Sequence, residues 1–371
     1  MHVGSADASP GELERGWLSI TELPTGASER LPVVVAEGVA DGPTLWLTGG
    51  VHGDEATGVA VAQDALSEAL PERLAGTVVS VPVVSPAGLR RNARHTYYGD
   101  DDPNRHFPDP EADFARPAEV QERIDRRLYE VITGAEDEAT RADAYVDLHT
   151  AGVGSVPFSI RDRVLYGQRR SEADAESLAA ELRALVAAFG LPVVTEYPAE
   201  EYVDQSLQRS TAGAVLNAAG VPSFTAELGS HSVVEEAARA AGVAGVYGVL
   251  VELGMVDRED VPETVGDPGA AVPDQPVDYP VRRYVGPRTE TAGLVRHRVA
   301  AGDVVESGDV VADVVSPTGE QLDTVCSDHD GYVLGRAEGL AAYEGDAVAR
   351  LAVRDDGDLV ASREGDSGDE P

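Results

Sequence analysis

The 371-residue chain has no lysine: all 29 basic residues are arginine, set against 66 Asp and Glu, for a formal charge of −37. A balance so one-sided excludes nucleic acid and anionic membrane as natural partners. It fits a cytoplasm holding molar salt, where the Debye length falls to about 3 Å and self-repulsion is screened, so a halophilic source is expected. The lysine-rich pattern of hyperthermophiles is excluded on the same ground. Cysteine is nearly absent too. Cys326 stands alone, which rules out an internal disulfide and an all-cysteine metal site. No run of about 18 apolar residues is present to cross a bilayer. Met1 to Pro10 lack the basic and apolar regions of a secretory signal, so a cytoplasmic protein is expected. A homo-oligomer is compatible with all of this.

What is present is ordinary globular usage, with 42% hydrophobic and 26% charged residues and a length that suits two domains. From Leu31 to about Gly254, short apolar runs alternate with helical stretches. Strands are expected at 32–35, 45–48, 78–84, 145–148, 193–196 and 223–226, with helices at 56–70, 118–132, 172–189, 205–219 and 233–253. The third helix is clearest: Leu178, Leu182, Leu185 and Val186 share one face, and Gly190 stands at its end. Such alternation predicts an α/β domain over 1–256 with a mostly parallel, mixed sheet flanked by helices, whose sites lie beyond the carboxyl ends of strands. Residues 257–283 read as an acidic Pro/Gly-rich linker. From 284 to 354, valine pairs punctuated by Gly-Asp turns predict a small all-β, barrel-like domain, and 355–371 an acidic, frayed tail.

Histidine is scarce, so each of the eight can be weighed. His52 and Glu55 lie in Gly49-Gly-Val-His-Gly-Asp-Glu55, between an apolar strand and a helix start. Three apart at a tight turn, they can point two ligands at one metal; Asp54 and Glu55 equally suit acids drawn to a helix N-terminus. His149 ends Tyr145-Val-Asp-Leu-His149. With the other two it makes a His₂Glu set, which leaves a catalytic zinc one open position. Asp147 could orient His149, although a plain strand-end acid is the favoured reading. Glu227, after the apolar run 222–226, could accept a proton from a zinc-activated water, or simply be a solvated helix-start acid. The loop from Arg94 to Pro108 carries Asn104 and Arg105, which suit a carboxylate or a developing oxyanion, or merely neutralise Asp100, Asp101 and Asp102. His95 and His106 end no strand and are not favoured as ligands.

In that order these pieces resemble the succinylglutamate desuccinylase/aspartoacylase family of zinc carboxypeptidase-like hydrolases. The resemblance rests on Gly50-Val-His52-Gly-Asp-Glu55, on Arg94 with Asn104-Arg105-His-Phe-Pro108, on Asp147-Leu-His149 and on Glu227-Leu-Gly229. It implies one zinc per chain on His52, Glu55 and His149, with Glu227 as general base. Asn104 and Arg105 would hold the substrate's carboxylate and Arg94 would polarise the scissile carbonyl, with Arg90 and Arg91 competing for that last place. Pro103 and Asp109 depart from the family pattern in ways that touch loop shape. The C-terminal module looks like the family's biotinyl/lipoyl-like barrel, expected to cover the site. With no acceptor lysine it cannot be a carrier. The expected activity is zinc-dependent hydrolysis of the amide of a small N-acyl amino acid. A metallocarboxypeptidase and a non-catalytic zinc or ligand-binding protein are the alternatives.

Overall fold

Alternation of Val, Leu and Ala with polar residues gives strands that share a single sheet. In the computed structural model, which describes residues 1–99, 101–108, 118–167, 169–266 and 274–363, this sheet has twelve strands. From one edge the order is Leu13–Glu22, Ser28–Glu37, Ala75–Val81, Ala40–Gly49, Ala144–Ala151, Ser223–Ser230, Phe158–Arg161, Val193–Thr195, Val281–Val285, Ala349–Arg354, Gly331–Arg336 and Val304–Val305. The centre is parallel: Ala40–Gly49 pairs in parallel with Ala75–Val81 and with Ala144–Ala151, and Ala144–Ala151 with Ser223–Ser230. The expected mixed α/β architecture is therefore present. The edge strand Leu13–Glu22 lies upstream of the region where alternation was legible.

Helices cover both faces of the centre of the sheet because its strands, such as Ala75–Val81 and Ala144–Ala151, are buried on both. Leu45, Leu47, Val146, Leu148, Phe224 and Ala226 pack against the helices Ala56–Asp64, Glu172–Phe189 and Glu236–Glu252. Trp46 and Tyr145 point to the other face, beneath Ile124, Leu128 and Ile132 of Val120–Ile132. Glu172–Phe189 matches its expected span, with Ser171 capping its start and Gly190 left-handed at its end. The helix expected at 205–219 is broken instead into a short turn at Leu207–Arg209, an α-turn at Thr211–Ala214 and a π-turn at Val215–Ala219. Ser206 is left-handed and the Ser210 hydroxyl caps the amide of Gly213, so side chains compete there with a continuous helix.

The C-terminal strands are antiparallel and turn at left-handed Gly302, Gly308, Gly319 and Gly345, as the Gly-Asp pattern predicts. They do not close into a barrel. Four of them extend the main sheet, while Gly293–His297, Val310–Val315, Gln321–Cys326 and Ala341–Ala342 form a second sheet of their own. The link between the halves is Thr195 paired with Arg282, so residues 281–283, read as linker, are strand. The start of the acidic tail is fastened as well. Val360–Ser362 pairs in parallel with Val164–Tyr166, and buried Arg163 binds Asp355 and the carbonyls of Gly357 and Asp358. Asp100, Asp109, residues 267–273 and the end of the tail lie outside the described residues.

Candidate active site

Two glycines shape the turn that carries His52 and Glu55. Gly50 is left-handed (φ +58°), which folds the chain back at the end of its strand. Gly58 lies so near the neighbouring strand that a Cβ there would stand 2.2 Å from the Leu148 carbonyl oxygen. This close approach brings the helix start, with Glu55, against His149. Strand periodicity does the rest: Val146 and Leu148 face one core, and Tyr145, Asp147 and His149 the opposite side.

His52, Glu55 and His149 are all buried and meet, with ligand atoms within 4.8 Å of one another. Glu55 Oε1 is 2.7 Å from His52 Nδ1, and Oε2 is 2.7 Å from His149 Nδ1. The other ring nitrogen of each histidine is held by a carboxylate: His149 Nε2 by Asp147 Oδ2 at 2.7 Å, His52 Nε2 by Asp102 Oδ1 at 3.0 Å. Thr48 donates to the far oxygen of Asp147 at 2.7 Å. Both imidazoles thus turn Nδ1 toward one point while Nε2 is anchored, the disposition that metal-bound histidines show. Asp147 is therefore the orienter of His149, which corrects the favoured reading of a plain strand-end acid. Burial raises the Glu55 carboxyl, but the two histidines outweigh it and hold it well below the usual carboxylate range. Burial opposes protonation of His149, yet Asp147 and Glu55 push it well above the ordinary value. Such a site draws positive charge.

A cavity of about 610 Å³ opens from this cluster and is lined by His52, Glu55, His149, Glu227, Arg94, Asn104 and Arg105, the seven residues given a role by the family resemblance. Glu227 pairs in register with His149 on one side and Phe158 on the other. Its Oε2 is buried without a hydrogen-bond partner among the described residues. Burial, and then the nearby Glu55, raise its pKa. Of the three competing arginines, Arg94 faces the cavity, with Nη2 2.8 Å from Asp102 and Nη1 3.4 Å from Glu55. Arg90 turns instead to Glu29 and Tyr97, and Arg91 is exposed. The Asn104 side-chain oxygen accepts from the amide and hydroxyl of Thr211 at 2.7 and 2.9 Å, which leaves its NH₂ as the group on offer. Arg105 donates to the Asn104 carbonyl at 2.7 Å. His95 and His106 do not line the cavity.

Sequence reasoning missed the rest of the lining. Asp162 is buried, and that burial, reinforced by Glu196, pushes its pKa up to about 8. Glu196 accepts from Arg283 at 2.7 Å. His231 Nε2 meets both oxygens of Glu338 at 2.9 Å. Arg283, Glu338 and Arg350 come from the C-terminal strands and their connections, so that region forms one wall of the cavity. The adjacent Arg282 and Arg283 within Val281–Val285 were the one available signal.

Comparison with known proteins fits this geometry. Residues 41–253 match the succinylglutamate desuccinylase/aspartoacylase catalytic domain. The chain belongs to that family. It is a hydrolase of the deacylase kind, acting on a carbon–nitrogen bond outside a peptide. Within the succinylglutamate desuccinylase/aspartoacylase family it is similar to N-alpha-acetyl-L-2,4-diaminobutyric acid deacetylase of Halomonas elongata, 29% identical over 336 residues that cover 87% of this chain and 85% of the relative. The fold is shared with a succinylglutamate desuccinylase/aspartoacylase from Rhodobacter sphaeroides (TM-score 0.71, 24% identity, 94% and 96% of the two chains). It is shared too with the ectoine utilization protein EutE (DoeB) from Ruegeria pomeroyi (TM-score 0.69, 23% identity, 92% and 95%). No helix among the described residues is long and apolar enough to cross a membrane.

Proposed function

We propose that the chain is a cytoplasmic zinc enzyme that hydrolyses the amide of a small N-acyl amino acid, with His52, Glu55 and His149 holding one ion. The donor set supports zinc: two neutral-capable imidazoles and one carboxylate converge, with their outer atoms tied back. Bound there, zinc supplies Lewis acidity toward a carbonyl and brings the pKa of a water near neutrality. Glu227 accepts the proton from the attacking water and returns it to the leaving amine. Its raised pKa suits both directions of transfer. Arg94 donates to the oxyanion, one such donor being worth about 3–4 kcal/mol. Asn104 and Arg105 orient the substrate through its carboxylate.

The observation that carries this reading is the unpartnered, buried oxygen of Glu227, opposite His149 in the same cavity. Glu227→Ala should keep stoichiometric metal in protein purified from high salt, yet lose hydrolysis by two or more orders of magnitude. Retained turnover would remove Glu227 from the mechanism. The substrates to try are N-acetyl and N-succinyl amino acids, N-acetylated diamino acids first in view of the Halomonas relative. Faster cleavage of longer peptides would instead favour a carboxypeptidase.

A further inference from the structure

We propose that Arg350 binds a carboxylate of the substrate, which makes the C-terminal β region a determinant of specificity; this rests on the N-acyl amino acid reading above. A guanidinium stays charged at any physiological pH, so placing one in a partly buried wall without an acceptor is costly. Each of the other arginines of the cavity already has a protein acceptor for part of its fork. Arg94 is bound to Asp102 and Glu55, Arg105 to the Asn104 carbonyl and Arg283 to Glu196. Arg350 lines the same cavity, and among the described residues no hydrogen bond or ion pair engages its side chain.

The surrounding backbone leaves room for that guanidinium. A Cβ at Gly152 would stand 2.5 Å from Arg350 Nη1 and 2.9 Å from Glu338 Oε1, so the space exists only because residue 152 has no side chain. The acids within electrostatic reach are Glu227 and Glu338. Glu227 faces the reaction centre, and Glu338 is taken by His231 and by the Val153 amide. An unengaged planar fork facing a substrate cavity matches a carboxylate in two-point contact. That carboxylate is either the one on the amino acid's α-carbon or one borne by its side chain or acyl group.

The test uses the full, metal-loaded chain in high salt. Three substrates are compared: an N-acyl monocarboxylic amino acid, its dicarboxylic counterpart, and the matching N-acyl amine without a carboxylate. Arg350→Met should raise KM roughly tenfold or more where a carboxylate is present, as expected for loss of a charge-assisted contact, with kcat little changed. The carboxylate-free amine should be turned over as by the wild type. A penalty already full on the monocarboxylic substrate assigns the α-carboxylate; one confined to the dicarboxylic substrate assigns the second. Arg350→Lys should recover part of the loss, and Gly152→Ala, which keeps the arginine but fills its space, should imitate Arg350→Met. Equal effects on all three substrates, or none on any, overturn the proposal. Calorimetric titration with L-2,4-diaminobutyrate, L-glutamate and 1,3-diaminopropane separates the two readings. If nothing is hydrolysed, the deacylase reading fails. In that case the role of Arg350 is decided by binding alone, and it fails if Arg350→Met binds both amino acids as tightly as the wild type does.

Discussion

Surface and cavity use charge in opposite ways. The chain carries a net −37, and among the described residues its exposed ion pairs are scattered ones such as Arg15–Glu68 and Arg239–Glu236. Such pairs contribute little. In the cavity most acids have an assigned partner: Glu55 has two histidines, Asp54 and Glu338 share His231, and Glu196 has Arg283. Charge facing water is thus left largely to the solvent, while charge facing the cavity is matched group by group. Salt screens the first strongly and the second weakly.

The largest expected effect tests the exterior. Dialysis from molar KCl into dilute buffer should abolish folded structure by circular dichroism, and an unchanged spectrum would break the contrast. Next comes His149→Ala, which should abolish stoichiometric metal and turnover while the fold survives in molar salt. Metal retained at wild-type level would remove His149 from the ligand set. Asp147→Asn should be milder, lowering metal affinity about 10–100-fold by releasing the His149 ring, as a metal titration would reveal.

The smallest effect concerns Asp162, whose folded pKa is pushed up to about 8 from an ordinary 3.8. Across that interval the folded chain keeps a proton that the unfolded chain has released, so this group makes stability fall as pH rises from about 4 to about 8. Asp162→Asn should flatten that decline in melting temperature between pH 5 and 8. An unchanged slope would mean that the acid is not titrating in that range.

How much was legible follows from the range of each interaction. His52 and Glu55 follow a strand end and His149 lies near the carboxyl end of its own strand in a parallel sheet, so local pattern and one topological rule pointed to them. Asp147 was misjudged because its partner at i+2 shares its face only if the segment is strand through His149; the hydrogen bond, not the spacing, decides. Arg283 and Arg350 reach the cavity because Val281–Val285 joins the main sheet beside Val193–Thr195. That pairing joins positions far apart in the chain, and the Gly-Asp turns of 302–346 look alike whether the strands wrap around themselves or extend a neighbour. A closed barrel was the natural expectation, and only long-range pairing separates it from the two sheets observed. Asp102 was hidden in an acidic run whose members look interchangeable until the loop folds.

One consequence follows from the way the C-terminal strands are stitched in. They enter through the Thr195–Arg282 pairing, and the chain returns at Val360–Ser362 beside Val164–Tyr166, clasped by Arg163. The wall bearing Arg283, Glu338 and Arg350 is thus anchored on both flanks, like a door frame rather than a door. A fragment ending at residue 256 would lose not a removable cover but one wall of the chamber.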